Sequence, residues 1–218
     1  MNLFEEGSAL QRFLGKTADL MILNLVTLLM CIPVITAGAA LTGMHYVLLK
    51  MVRGEEGYIV RSFFRSFKRN LRQATILWAF FLVLWYLILS NLMLLIRGRE
   101  RGPLWILWGL LLTALLTVIL MIYTFAILSR FDNTVLQTLA NAVMLTFGEL
   151  PRSFEMLLIT LIPLAAGLRV TVFLPLLLLF GLSVPGYACA MVYNTIFTRI
   201  ENKITGQTPH PEEENSDG

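Results

Sequence analysis

Long runs of apolar residues without a charged side chain alternate with short charged segments along this chain. The first run, Leu20–Leu49, is thirty residues long and is interrupted only by Pro33 and the small residues of Thr36–Ala40. Thirty residues of helix measure about 45 Å, whereas a bilayer core needs about 20 residues. The run is too long for one straight membrane-spanning helix and short for two, so the break at Pro33 decides the topology.

The apolar pattern predicts further spans after this run, at Ala74–Ile96, Gly102–Ser129, Ser153–Leu168 and Leu174–Thr198. Within the last of these, Pro185–Gly186 predicts a kink whose freed carbonyl needs a partner on a neighbouring helix. With 57% hydrophobic and 14% charged residues, the composition is far from the roughly 25% charge of a soluble domain. We therefore expect an all-α, polytopic transmembrane bundle of about five spans, with six spans or a re-entrant hairpin as the alternatives.

The basic residues predict the orientation of the bundle. Seven of the seventeen lie between Lys50 and Arg72, which places this loop on the cytoplasmic side. If the first run crosses once, basic residues divide 11 inside to 6 outside, and if it folds back at Pro33 they divide 13 to 4. Charge favours the fold-back and length favours one tilted crossing. Residues 1–200 form one predicted membrane domain, and 201–218 a disordered, acidic cytoplasmic tail.

The loop after the first run contains an amphipathic segment, Gly57–Gln73. Its basic residues recur with helical spacing on one side and its phenylalanines lie on the other. Such a helix lies flat on anionic lipid headgroups or forms a docking surface for a cytosolic partner. Nucleic acid is not expected, because the aromatic side is needed for burial. The candidate surface comprises Arg61, Phe63, Phe64, Arg65, Phe67, Lys68 and Arg72.

A second amphipathic helix is predicted over Thr134–Gly148, after the polar stretch Arg130–Asn133. Asp132 or Asn133 is expected to cap its start, and Gly148 with Pro151 to end it. Together with the first segment it forms a predicted cytoplasmic interaction surface, whose candidate residues are Arg130, Asp132, Asn133, Pro151 and Arg152.

The motifs of common chemistry are missing from this sequence. It has no phosphate-binding glycine loop, only two histidines, and no nucleophile with a nearby base. We therefore expect no enzymatic activity, no metal site and no cofactor. Polar residues and helix breaks at membrane depth nevertheless form a candidate solute site, as in transporters, at Asn24, Pro33, Thr36, Gly38, His45 and Pro185.

Three stretches resemble the YesL family, a group of bacterial integral membrane proteins without an assigned activity. They are Ile32–Ala39, Phe63–Asn70, and Arg130–Asn133 with Leu150–Arg152. The resemblance covers about residues 1–200, and Ala37 replaces the isoleucine that the family more often has after Thr36. It implies a bacterial cell-membrane protein with an accessory role in carbohydrate uptake, since genes of the family commonly neighbour those of sugar importers.

Two functional hypotheses follow. The first is a non-enzymatic accessory protein whose cytoplasmic surface docks to permease or ATPase subunits of an ABC-type sugar importer. The second is a small solute carrier that uses the breaks at Pro33 and Pro185, and for this function a chain of five spans is expected to form a homo-oligomer.

Overall fold

The computed structural model describes residues 9–55, 57–97, 104–169 and 174–205. These residues form eight α-helices and one 3₁₀ turn, and this part of the chain contains no β-strand. The helices are α1 (Ala9–Cys31), α2 (Ala37–Val52), α3 (Ile59–Arg97), α4 (Leu104–Arg130), α5 (Val135–Gly148), α6 (Leu150–Arg169), α7 (Leu174–Phe180) and α8 (Ser183–Thr205), with the 3₁₀ turn at Val34–Thr36 between α1 and α2.

Five helical segments in the described residues are long and apolar enough to cross a membrane: Phe13–Cys31, Val34–Val52, Ile59–Arg97, Trp105–Arg130 and Leu150–Gly167. The predicted class, an all-α polytopic bundle with about five spans, is therefore confirmed. The spans themselves differ from the predicted set. The run predicted as one crossing provides two of the five, and the predicted last span is divided between α7 and α8.

The first apolar run folds back on itself at Pro33. The side chain of Asn24 on α1 accepts a hydrogen bond from the backbone of Leu182, just before α8. A Cβ atom added to Gly186, in the first turn of α8, would lie 2.8 Å from Leu48 on α2. In a continuous helix, positions 24 and 48 would be about 36 Å apart, so α1 and α2 form a hairpin. The start of α1 and the end of α2 consequently lie at the same end of this hairpin.

Close packing of α2 against α3 explains the small residues after the turn. A Cβ atom on Gly38 would lie 2.6 Å from the carbonyl oxygen of Ala74 and 2.6 Å from the Cβ of Trp78. A Cβ atom on Gly43 would likewise lie 3.1–3.2 Å from the ring and the carbonyl oxygen of Phe63. Only residues without a side chain allow the two helices to approach this closely.

The predicted basic segment and the following span form one uninterrupted helix, α3. Its 39 residues correspond to about 58 Å, and a bilayer core of about 30 Å would contain all of it only at a tilt of about 60°, beyond the usual range. Part of α3 therefore lies outside the hydrocarbon core. The phenylalanines of the basic half pack on the protein itself: Phe63 is fully buried, and Phe64 and Phe67 are partly buried against the core. The expectation of a separate helix lying flat on lipid is not met.

The helix predicted at Thr134–Gly148 is present as α5, with an unusual distribution of its side chains. Its buried positions are Thr138, Ala142 and Thr146, and the hydroxyls of both threonines donate to carbonyls one turn earlier. Large apolar side chains occupy the outer face instead. A helix that exposes its apolar side is suited to contact with lipid.

The predicted last span is interrupted before Pro185, where the kink was expected. The helical structure is broken at Gly181–Leu182, and Pro185 lies in the first turn of α8, where a missing backbone N–H costs little. At its other end α8 continues to Thr205, five residues into the segment predicted to be the tail. Residues 206–218 lie outside the described part of the chain.

Candidate functional site

Asn24 joins α1 to both sides of the break between α7 and α8. Its Nδ2 donates to the carbonyl oxygen of Leu178 at 2.7 Å. Its Oδ1 accepts from the backbone N–H groups of Leu182 and Ser183, both at 2.9 Å. A broken helix leaves such groups without partners, and the amide supplies both a donor and an acceptor. Asn24 is completely buried. Its hydrogen bonds to the backbone groups at the break explain why a polar side chain is placed there.

His45 and Pro185 line a cavity of about 110 Å³ next to this break, together with Leu182, Thr160 and apolar side chains. His45 is buried, and its Nδ1 lies 3.0 Å from the hydroxyl of Tyr193 on α8. Among the described residues, no acidic side chain lines the cavity. The two groups form a hydrogen bond whose donor depends on the imidazole tautomer. The cavity is well below the roughly 300–1,000 Å³ of typical ligand pockets.

The remaining predicted site residues lie elsewhere. Pro33 is exposed at the tip of the α1–α2 hairpin. The hydroxyl of Thr36 closes the turn, 2.8 Å from the carbonyl oxygen of Met30 and 2.9 Å from that of Pro33. Gly38 contacts α3. The breaks at Pro33 and Gly181–Leu182 therefore do not form one site, although the hypothesis required them to face each other.

One side of the first half of α3 is a continuous basic face, formed by Arg61, Arg65, Lys68 and Arg72. All four side chains are exposed, and among the described residues none forms a salt bridge. Arg69, beside this face, is paired with Asp132 at the start of the α4–α5 connection. The burial of Phe63 and this ion pair hold the basic face in a fixed position on the bundle.

Two carboxylates tie helix ends together at the end of the bundle that carries Arg53, which we call the basic end. Glu201 of α8 accepts from Arg130 at 2.9 Å and from Arg53 at 3.3 Å. Burial raises the pKa of the Glu201 carboxyl, but the hydrogen bonds and charges of the two arginines outweigh burial and hold this pKa below its usual value. The carboxylate thereby links α2, α4 and α8.

Glu149 is the second bridging carboxylate, between α5 and α6. It lies 3.2 Å from Arg152 of α6 and 3.2 Å from Arg199 of α8. Of the predicted interaction residues, Arg130 therefore joins α4 to α8 through a carboxylate, whereas Arg152 pairs with Glu149 only three residues before it. Glu149 and Glu201 were not among the predicted site residues. The sequence feature that could have indicated them is a glutamate at the end of a span, in a segment rich in arginine.

The cap of α5 also differs from the prediction. Thr134 is the N-cap residue, and it forms a capping box with Gln137, in which each side chain pairs with the other residue's backbone N–H. Asp132 is instead engaged by Arg69, and Asn133 lines a groove described below. Pro151 is the second residue of α6, a position that tolerates proline, and α5 ends at Gly148 as predicted.

A groove of about 500 Å³ runs between α5 and the last turns of α8. Ile127 from the end of α4 and Phe131 directly after α4 contribute to it, and polar residues, among them Asn133, Glu149 and Arg199, lie along it. The described ranges hold no group of three or more histidine, cysteine, aspartate or glutamate side chains able to bind a metal ion.

Residues 20–92 match the model of a family described as "Protein of unknown function, DUF624". The matched segment extends from the middle of α1 through most of α3, and includes the Pro33 turn, His45 and the basic face. The match therefore relates this segment to a family of unknown function. No curated protein and no solved structure shows significant similarity to the chain.

Proposed function

We propose that this protein is a non-enzymatic accessory subunit of the bacterial cell membrane, which docks through its cytoplasmic face to permease or ATPase subunits of an ABC-type sugar importer. The basic end of the bundle and the C-terminus are cytoplasmic in this proposal, following the distribution of basic residues. Its sugar context rests on the sequence resemblance to the YesL family.

The observation that carries the proposal is the basic face of α3. Four exposed cations without carboxylate partners in the described chain repel one another, and an acidic partner surface relieves this repulsion. The face is presented on a helix fixed by the contact of Phe63 with Gly43 and by the pair of Arg69 with Asp132. A rigid, charged surface outside the hydrocarbon core is suited to protein docking, since little side-chain or loop ordering is then lost on binding.

The structure gives less support to a solute carrier. Asn24 already satisfies the backbone groups that a broken helix offers to a solute. The cavity beside His45 is small, and the Pro33 turn is exposed and separate from it. A carrier built on these breaks would need a different arrangement of the helices.

Affinity purification from native membranes tests the docking proposal. The tagged full-length protein is expected to recover importer subunits. A variant with Arg61, Arg65, Lys68 and Arg72 all changed to glutamine is expected to lose them, because the attraction to the acidic surface is removed. The matched control changes Arg61, Arg65 and Arg72 to lysine, which retains charge and membrane orientation, and is expected to keep most of the binding.

Recovery of the same subunits by the glutamine variant would contradict the proposed role of the basic face. A preparation of the wild-type protein that contains no importer subunit would contradict the proposed function itself. Because fewer positive charges also alter membrane insertion, the side on which the glutamine variant exposes residue 55 is checked by cysteine labelling before the comparison.

A further inference from the structure

The groove between α5 and α8 has the form of a binding site for a narrow apolar chain. Its walls and floor are mostly apolar, with Ile127 from α4, Phe131 directly after α4, Met144 and Leu145 from α5, and Phe197 and Ile200 from α8. Its volume of about 500 Å³ lies within the range of pockets that hold small molecules. Gly148, at the end of α5, also lines the groove, and a Cβ atom there would meet no other atom within 4 Å.

The surroundings of the groove favour lipid as its occupant. The outer face of α5 exposes Leu136 by 77%, Met144 by 75% and Phe147 by 58%. In a multi-pass membrane protein such a surface faces the acyl-chain boundary of the bilayer, because exposing it to water would be costly. Met144 belongs to both this face and the groove, so the groove opens onto the surface that lipid covers.

Charge at the basic end specifies the headgroup. Glu149 is shared by Arg152 and Arg199, and Glu201 by Arg53 and Arg130. Four arginines therefore face two carboxylates, which leaves these clusters with an excess of two positive charges. Arg199 lines the groove and is about half exposed. Arginine binds phosphate oxygens through its planar fork of N–H donors.

We propose that this groove binds one anionic phospholipid, with an acyl chain between α5 and α8 and the phosphate beside Arg199 at the basic end. The site links the ends of α4, α5 and α8, which are otherwise joined by the two carboxylate clusters. It depends only on the protein lying in a membrane and is independent of any importer subunit.

Photolabelling of the full-length protein in vesicles tests the proposal. The vesicles contain phosphatidylcholine and a small fraction of phosphatidylglycerol with a photoreactive diazirine in its acyl chain. After irradiation, mass spectrometry of the digested protein locates the adducts. They are expected to concentrate on residues of α5 and α8 that line the groove. Gly148→Leu, which fills open space there, is expected to reduce these adducts to the background of other lipid-facing helices.

Gly109→Leu is the matched control, because Gly109 lies on α4 outside the groove and also has open space around it. This variant is expected to keep the labelling of the wild-type protein. Arg199→Gln is expected to lower phosphatidylglycerol labelling about fivefold, the effect of removing about 1 kcal/mol of attraction to an anionic lipid. Labelling by an equivalent diazirine phosphatidylcholine is expected to be unchanged.

Three outcomes would overturn the proposal. One is labelling spread evenly over the lipid-facing helices, and another is undiminished labelling of the groove in Gly148→Leu. The third is a co-purified polypeptide that cross-links to the groove in place of lipid, which would make it a protein-docking site. The vesicles contain no importer subunits, so none of these results depends on whether the docking proposal is correct.

Discussion

Asn24 accepts a hydrogen bond from the backbone of Leu182, 158 residues further along the chain, and so closes a break between two helices with a side chain from a third. The same amide donates to Leu178 on the other side of the break. In a membrane protein the freed groups of a helix break must be satisfied within the protein, since hydrocarbon offers no partners. The break at Gly181–Leu182 therefore depends on α1 being folded back beside it.

Asn24→Ala is expected to destabilise the protein by about 2–4 kcal/mol, because three backbone groups at the helix break lose their partner. Unfolding of the full-length protein in mild detergent, followed by circular dichroism, measures the change. The matched control is Asn91→Ala, since Asn91 is exposed and the hydrogen bond of its amide, as far as the described residues go, is to Leu87 in its own helix. An equal stability of the two variants would show that the amide of Asn24 does not hold the break.

The sequence contained part of this arrangement. Pro185–Gly186 predicted a kink in the last span with a partner on another helix, and the span is interrupted, although not at these two residues. The break nevertheless lies at Gly181–Leu182, because a Cβ on Gly181 would be 2.3 Å from the carbonyl oxygen of Leu177 and proline is tolerated in a first helical turn. The identity of the partner was not readable, since a contact over 158 residues leaves no local pattern.

Gly38→Ala is expected to destabilise the contact of α2 with α3 by about 1–3 kcal/mol, the usual cost of overpacking. The added methyl group would lie 2.6 Å from the backbone oxygen of Ala74, and both atoms belong to helices that cannot move independently. Gly109→Ala is the control, and is expected to leave stability unchanged or to raise it by up to about 1 kcal/mol through helix propensity. Denaturation midpoints of both variants in the same detergent provide the measurement.

Glu201 is expected to make the stability of the basic end dependent on pH. Its pKa is lower in the folded protein than in the unfolded chain, so its contribution is fully present above the unfolded value of about 4.5. The contribution is lost as the pH falls below that value through the folded pKa, because a protonated carboxyl no longer balances Arg53 and Arg130.

Thermal unfolding at pH 7 and at pH 3.5 tests this dependence. Glu201→Gln is expected to lower the unfolding temperature at pH 7 and to lose less stability than the wild type on acidification. The control is Glu55→Gln, since within the described part of the chain the Glu55 carboxylate forms one salt bridge, a long one to Lys50 at 4.0 Å. The same acid-induced loss in Glu201→Gln and the wild type would exclude Glu201 as its source.

The basic segment of α3 shows what the helical spacing of residues predicts and what it leaves open. The spacing of Arg61, Arg65, Lys68 and Arg72 correctly predicted one exposed basic side, because helical geometry alone determines it. Phe63 was expected to face lipid headgroups or a docking partner, whereas the structure buries it against Gly43. An apolar helix face in a sequence indicates that this face is buried. Whether lipid, a partner or another helix of the same chain buries it depends on the tertiary fold. The cap at Thr134 was readable, since a threonine three residues before a glutamine is the pattern of a capping box.

The α1–α2 hairpin predicts that the N-terminus and the basic loop lie on one side of the membrane. In a variant with Cys31 and Cys189 replaced by alanine, single cysteines at Ser8 and at Glu55 are expected to react with a membrane-impermeant maleimide from the same side. Both are expected to be protected in intact cells and labelled after permeabilisation, because a fold-back at Pro33 places 13 of the 17 basic residues inside. Tyr58 is also exposed beyond α2, and Tyr58→Cys is expected to show the same labelling as Glu55→Cys. Labelling of Ser8→Cys in intact cells, with Glu55→Cys protected, would mean that the first run crosses the membrane once, against the hairpin that Asn24 and Gly186 define.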